Sequence, residues 1–431
     1  MYVIHRFITK KCILAIKIST LQFIYNTGIQ FISFILKITA FFNTKIKLGV
    51  EGRRKTFKVL EEHINIPHRT FWFHCASLGE YEQGLPVFEK LRARYKTHKI
   101  VLSFFSPSGY EIRKNSPIAD VVVYLPLDTK KNASRFLNII KPELAIFVKY
   151  DIWPNYLDAL NNNSVRTILI SAAFRNDQIY FKPYGSMFRK ALFTFEHIFT
   201  QNEYSKTLLK SIGYNNTTVS GDTRFDRVSN QLKIDNSLQF IEEFLNQKMC
   251  IVVGSSWPED EALFVNFINS KKNNDVKYIV APHNIKTSQI NNFKSKLDTE
   301  VILYSEKDTK ALKEYSVLII DTIGLLSKIY SYAHIAYVGG AMGTTGLHNT
   351  LEPAVFGIPI LIGKNHQKFP EAQSLIDNGG MFAVENQNEF DTILTKLIEN
   401  DNFRTISGSK NAAYINKYKG AVIQIINYLR I

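Results

Sequence analysis

The stretch that decides the fold is Ile335–Gly363, IAYVGGAMGTTGLHNTLEPAVFGIPILIG. Two short apolar, β-rich runs, Ile335–Val338 and Ile358–Ile362, bracket a glycine-rich loop and one short helix. Gly339, Gly340, Gly343 and Gly346 let the backbone turn tightly and approach a ligand closely. Asn349 or Thr350 is placed to cap the helix, Pro353 fits its first turn and Gly357 suits its end. A glycine loop running into a helix N-terminus offers unpaired N–H groups and a positive dipole end, which together favour a phosphate. Glu352 in that first turn is well placed to accept hydrogen bonds from ribose hydroxyls. An ordinary βαβ turn carries such glycines too. The ordered set His348, Asn349, Glu352, Pro353 is what favours a nucleotide site.

Working outward, similar apolar runs recur on both sides of this unit. Upstream in the same half stand Cys250–Val253, Lys277–Val280, Val301–Tyr304 and Val317–Ile320, and Ala421–Leu429 reads as a closing helix. The first half has its own series: Thr70–Cys75, Lys99–Phe105, Val121–Leu125, Leu144–Val148, Thr167–Ile170 and His197–Thr200. Helical patterns lie between several of them, such as Glu80–Tyr95 with Leu85, Phe88 and Leu91 on one face. Strands alternating with helices imply parallel, doubly wound sheets. The expectation is an α/β chain of two Rossmann-like domains facing each other across a cleft. Its segments are a basic apolar stretch (1–50), a first domain (51–221), a linker (222–248) and a second domain (249–431). Ligands in such sheets bind beyond the C-terminal strand ends.

Length and composition agree. A chain of 431 residues is too long for one average domain, and 45% apolar content supplies folded cores. Three scattered cysteines, Cys12, Cys75 and Cys250, suit a reducing compartment and offer neither a disulfide framework nor a metal spacing. The net charge of +15 asks for an anionic partner. Much of it lies early: residues 1–50 hold Arg6, Lys10, Lys11, Lys17, Lys37, Lys45 and Lys47 and no acidic residue. Ile18–Leu36 is an uncharged run of 19 residues, but polar residues interrupt it. An amphipathic anchor lying on an anionic bilayer is the preferred reading, ahead of a single span. No recognition motif for nucleic acid is present.

Several strand ends carry residues that could do chemistry. Ser77-Leu78-Gly79-Glu80 follows the first strand, and a carboxylate there can serve as a general base on an acceptor hydroxyl, or simply as a favourable charge at a helix start. Ser106-Pro107-Ser108-Gly109 and Asp151-Ile152-Trp153-Pro154-Asn155 reach the same edge, where Ser106, Ser108, Asp151 and Trp153 can line an acceptor pocket. In the second half, Gly254 and Ser255 can meet a phosphate, and His283 a base or phosphate. Thr322 of Asp321-Thr322-Ile323-Gly324 reads as a helix cap. The chain has no Asp-x-Asp pair, which argues against a sugar nucleotide held through a divalent metal. It also lacks a Gly-x-x-x-x-Gly-Lys-Ser/Thr loop and a Gly-x-Ser-x-Gly elbow.

Taken in order, these motifs resemble the Kdo transferases, enzymes that load 3-deoxy-D-manno-octulosonic acid onto the lipid A precursor. The resemblance rests on Ser77–Glu80, Ser106–Gly109, Trp153–Asn155, Asp321–Gly324, Val338–Gly340 and His348–Pro353, spread over most of the chain after residue 50. It implies a GT-B fold, with the acceptor on the first domain and CMP-Kdo on the second. It implies Glu80 as catalytic base, Asn349 and Glu352 at the CMP moiety, inversion at the anomeric carbon, and no metal or other cofactor. The partners it implies are those two substrates and the cytoplasmic face of a bacterial inner membrane, reached through an N-terminal anchor. Two departures stand out. Lys149 and Asp151 occupy places where many members carry glutamates, and Pro282 stands where many carry an Arg before the His. Helix N-termini, Lys286 or Lys364 are the candidates to neutralise the phosphate instead. The rivals are a GT-B enzyme acting on a UDP-sugar, as transferase or epimerase, and a membrane- or nucleic-acid-binding module without catalysis.

Overall fold

The computed structural model describes residues 2–64, 68–271 and 275–430, with side chains from Thr20 onward; Arg6, Lys10, Lys11, Cys12 and Lys17 lie outside the described side chains. The chain divides into two compact units, Met1–Asp226 with Gly420–Ile431, and Arg227–Lys419.

The first unit is built on seven parallel strands: β1 Thr70–Cys75, β2 Lys99–Phe104, β3 Val121–Tyr124, β4 Pro142–Val148, β5 Arg166–Ala172, β6 His197–Thr200 and β7 Thr217–Val219. Their order in space is β3-β2-β1-β4-β5-β6-β7. Parallel strands covered by helices on both faces must be apolar on both faces, and all six residues of β1 are buried. One side of the sheet packs Trp72 with Phe136 and Tyr156; the other stacks Phe73 on Phe88 at 4.2 Å. The helices that matter below are α1 Tyr2–Thr39, α2 Thr44–His63, α3 Leu78–Arg94, α4 Pro107–Arg113, α5 Lys130–Ile140 and α6 Pro154–Asn162.

The second unit repeats the plan with β8 Met249–Ser256, β9 Val276–Pro282, β10 Val301–Leu303, β11 Val317–Ile319, β12 Ile335–Val338, β13 Ile360–Gly363 and β14 Met381–Val384, ordered β10-β11-β9-β8-β12-β13-β14. Its core gathers Val253, Phe264, Tyr337 and Phe390. The next connections of neighbouring strands run to opposite sides at β1 and β4 in the first sheet and at β8 and β12 in the second, and the crevice at such a switch is where open α/β sheets bind ligands.

Three local expectations change. The closing helix Ala421–Leu429 packs on the first unit: Val422, Ile425 and Leu429 join the cluster around Phe71 and Phe73. Asp226 ties it there by accepting from the N–H groups of Gly420 and Ala421, each at 3.0 Å, the usual service of a carboxylate to an exposed helix N-terminus. Residues 222–248 are not a plain connector, since Thr223–Gln231 and Gln239–Leu245 are helical. Thr322 caps no helix, because the next helical turn begins at Leu326. At the N-terminus, no helix among the described residues is long and apolar enough to cross a membrane.

Candidate active site

On the first unit, the ends of β2, β1 and β4 bring the expected acceptor residues together. Ser77 is the last residue before α3, so Glu80 falls in the first turn, and the Ser77 hydroxyl donates to the Glu80 carboxylate rather than capping the backbone. Gly79 is exposed at this corner. The strand pairing Cys75↔Phe104 sets the next loop alongside: Ser106 N donates to Ala76 O at 2.7 Å, and Ser106 Oγ meets both the N–H and the hydroxyl of Ser108. Ser106 thereby caps α4, which leaves the Ser108 hydroxyl as the freer group.

The third loop holds Asp151 and Trp153 through a residue that sequence reasoning passed over. His74, wholly buried in β1, points Nδ1 at Ser103 Oγ (2.8 Å) and Nε2 at both Asp151 Oδ2 (2.5 Å) and Trp153 Nε1 (3.0 Å). An indole N–H only donates, so Nε2 accepts when it pairs with Trp153 and carries a proton when it pairs with Asp151. Either way it fixes the loop. The Trp153 ring lies 4.7 Å from Phe105, completing an apolar wall over the β2 end. Lys149 opens this loop at φ +71, a left-handed conformation that a non-glycine residue holds only when its surroundings enforce it. A lone imidazole in an otherwise apolar buried strand was the available signal.

On the second unit the glycine loop is held from below by Asp260, another residue the sequence did not flag. It lies in the first turn of the helix Pro258–Ser270 and is completely buried. Its Oδ2 accepts from Gly340 N (2.8 Å) and Trp257 N (3.0 Å), and its Oδ1 from Tyr337 Oη (2.8 Å). Burial pushes this carboxyl upward in pKa and those donors pull it back. Gly340 adopts φ +97, and a Cβ there would stand 2.1 Å from Gly346 O, so only glycine fits. Gly339 is buried against Ser255 O, and Gly254 lies under the Tyr330 hydroxyl; both serve the close packing of the loop's base. Ser255 sits at φ +53 where β8 ends.

Above the loop, three rings stack: Trp257 on His283 at 4.6 Å, and His283 on His348 at 4.5 Å. Trp257 Nε1 donates to His348 Nε2 at 3.4 Å. Burial first, and the neighbouring His283 second, push His348 down to about 4; burial also lowers His283. Two imidazoles that stay neutral at pH 7 thus stand next to Pro282. Asn349 and Glu352 form one unit, with Asn349 Nδ2 donating to Glu352 Oε1 at 3.0 Å and Ser327 Oγ to Oε2 at 3.1 Å. Asn349 also accepts from Leu351 N, so it caps the single turn Leu351–Ala354, while the buried Thr350 hydroxyl has no partner among the described residues. A carboxylate oriented from two sides suits recognition of hydroxyls by hydrogen bonds.

A family model described as 3-deoxy-D-manno-octulosonic-acid transferase (Kdo transferase) matches residues 51–227. Among sequence relatives, the 3-deoxy-D-manno-octulosonic acid transferase of Aquifex aeolicus is 29% identical over 332 residues, 76% of this chain and 85% of that protein. Over most of its length the chain is similar to the Kdo transferases. The corresponding enzyme of Haemophilus influenzae is 24% identical, covering 84% of this chain and 87% of that protein. A bifunctional glycosyltransferase/methyltransferase of Fusobacterium nucleatum is 29% identical over 79% of this chain, which spans 53% of that protein's length. Solved structures share the GT-B-type pair of parallel-sheet domains. Acinetobacter baumannii MurG superposes with a TM-score of 0.53 at 10% identity, over 84% of this chain and 99% of that one. The UDP-GlcNAc 2-epimerase of Neisseria meningitidis gives 0.52 at 17% identity, over 84% and 98%. The Ser77–Glu80 corner and the Asn349–Glu352 pair stand at the strand ends of separate units.

Proposed function

We propose that this chain moves Kdo from CMP-Kdo to a lipid A precursor, with inversion at the anomeric carbon. The observation that carries the reading is Glu80, set at a helix start beside the Ser106–Gly109 and Asp151–Trp153 loops, on a chain whose other unit presents the Asn349–Glu352 pair. Glu80 takes the proton from an acceptor hydroxyl as that oxygen attacks the anomeric carbon, and CMP departs with the bonding pair. Asn349 and Glu352 hold the cytidine ribose. N–H groups of the Gly339–Gly346 loop offset charge on the leaving phosphate. Charge-developing phosphate also meets His283 and His348, which stand where Pro282 replaces a family arginine. The first unit receives the acceptor.

The same reading places the chain on the cytoplasmic face of an inner membrane, seated through α1 on the bilayer surface. Phe31 and Phe34 on α1, and Phe41 and Phe42 beyond its end, are largely exposed. Aromatic and cationic residues together favour an anionic interface.

Calorimetric titration of the full chain with CMP and with UDP tests the donor assignment. Binding of CMP, weakened tenfold or more by Glu352→Ala, is the expected outcome. Preference for UDP would reassign the donor to a UDP-sugar, and no nucleotide binding would remove the catalytic reading.

A further inference from the structure

A cavity of about 280 Å³ lies in the first unit between α1, α2 and the start of α5, and its walls are unusually cationic. Lys37 comes from α1, Arg53 and Arg54 from α2, and Thr129 and Asn132 from the start of α5. Arg53 is half-buried with its guanidinium stacked 4.4 Å from the Phe105 ring. Its Nε donates to Leu125 O (3.1 Å) and its Nη2 to Phe105 O (2.5 Å). Among the described residues, no carboxylate pairs with Lys37, Arg53 or Arg54. Burying a cation against carbonyls alone is costly, and desolvation lowers the Arg53 pKa accordingly. The nearby Asp128 gives no relief, because its carboxylate is committed to the Asn155 and Tyr156 N–H groups and the Tyr25 hydroxyl.

A second observation points the same way. The first turn of α5 holds no acid and opens with Lys130 and Lys131, the charge sign that a helix N-terminus disfavours. Lys37, Arg53 and Arg54 line one cavity, so their like charges repel one another and an anion between them would relieve that repulsion. The cavity is not purely polar, since Leu36, Val50, Phe57 and Leu127 also line it, and exposed Phe34 and Ile38 flank Lys37 on α1. Leu125 and Phe105 stand just past the C-terminal ends of β3 and β2, so the cavity opens on the side of the sheet where the Ser106–Gly109 loop lies.

We propose that this cavity binds a phosphate group carried on a lipid. Arg53 supplies a fixed, bidentate-capable guanidinium, Lys37 and Arg54 close over the phosphate oxygens, and the apolar wall accepts the adjoining glycerol or acyl carbons. The lipid's source is either a phosphorylated acceptor, which rests on the Kdo-transfer reading, or a bilayer phospholipid, which does not.

The test is flotation of the full chain with vesicles of phosphatidylcholine alone, with added phosphatidic acid, or with an equal charge supplied by a fatty acid. The chain should prefer phosphatidic acid. The double variant Lys37→Gln/Arg54→Gln should weaken that binding by about fivefold per charge removed, whereas Lys55→Gln/Lys58→Gln on the outer face of α2 should lose no selectivity. Equal binding to the fatty-acid vesicles, or equal losses in both double variants, would overturn the proposal. So would a variant-sensitive site that inorganic phosphate fills as well as lipid does. Acceptor titrations assign the source: a raised KM for a phosphorylated acceptor but not for its dephosphorylated form assigns the phosphate to the substrate. Unchanged KM with weakened flotation assigns it to the bilayer. Absence of any transfer by the unaltered chain would sink the enzymatic reading and leave the flotation result standing.

Discussion

Asp260→Ala probes whether the glycine loop is a preset structure or one shaped by its ligand. In the structure Asp260 receives the N–H groups of Trp257 and Gly340 and the Tyr337 hydroxyl in a site closed to water. Removing the side chain orphans two buried N–H donors, each worth about 1–3 kcal/mol, so the local cost is about 4 kcal/mol. Asp260→Asn is milder. An amide keeps one acceptor oxygen for the two N–H groups, loses the charge assistance, and relieves the burial penalty that raises the carboxyl's pKa. Its net cost is about 2 kcal/mol. Hydrogen exchange read by mass spectrometry over residues 335–347 is the assay, because a two-unit chain does not unfold as one step. Exchange of the Gly340 amide should quicken by roughly thirtyfold in Asp260→Asn, following about 2 kcal/mol, and further in Asp260→Ala. CMP affinity should fall in the same order. Unaltered protection in Asp260→Ala would show that Asp260 does not hold the loop.

Three further outcomes follow from single features. Gly340→Ala forces a Cβ to within 2.1 Å of Gly346 O at φ +97, so CMP binding should drop at least tenfold in calorimetry while the first unit keeps its thermal transition. His348 is depressed from 6.5 to about 4, so the unfolded chain takes up its proton first as pH falls. Its contribution is therefore intact above pH 6.5 and lost between 6.5 and 4, by about 3 kcal/mol at most, and His348→Gln should flatten that part of a stability–pH curve measured on the second unit. Asp226→Ala removes the acceptor for the start of the closing helix, which should cost the first unit about 1–2 kcal/mol and expose residues 420–430 to limited proteolysis.

Much of the architecture was legible because a parallel sheet buries both faces of its strands, which writes them as apolar runs. Thr70–Cys75 and Ile335–Val338 have the bounds read from sequence. The strands passed over, Thr217–Val219 and Met381–Val384, are three and four residues long and only partly buried, so their sequence carries little of that signal. The loops at the strand ends were legible for a related reason. Ser106 and Asn349 cap the backbone, and Ser77 bonds the Glu80 carboxylate, all within a few residues of themselves, and such local bonds leave a local trace. What sequence could not yield were partners made by the fold. The Asp226–Gly420 link joins positions 194 apart, and His74 meets Asp151 only because β1 lies beside β4. Arg53 reads as one more cation in a basic stretch until its position over Phe105 sets it apart. Thr322 was misread because a Thr before a glycine turn looks like a cap whether or not a helix follows.

The central claim is transfer, and the direct measurement is the mass of a purified lipid A precursor after incubation with the full chain and CMP-Kdo generated in situ. The account predicts a gain of one or more Kdo residues that disappears with Glu80→Ala, while CMP still binds that variant. A mass gain undiminished in Glu80→Ala would remove Glu80 from the mechanism, and no gain with the unaltered chain would contradict the assignment of the acceptor.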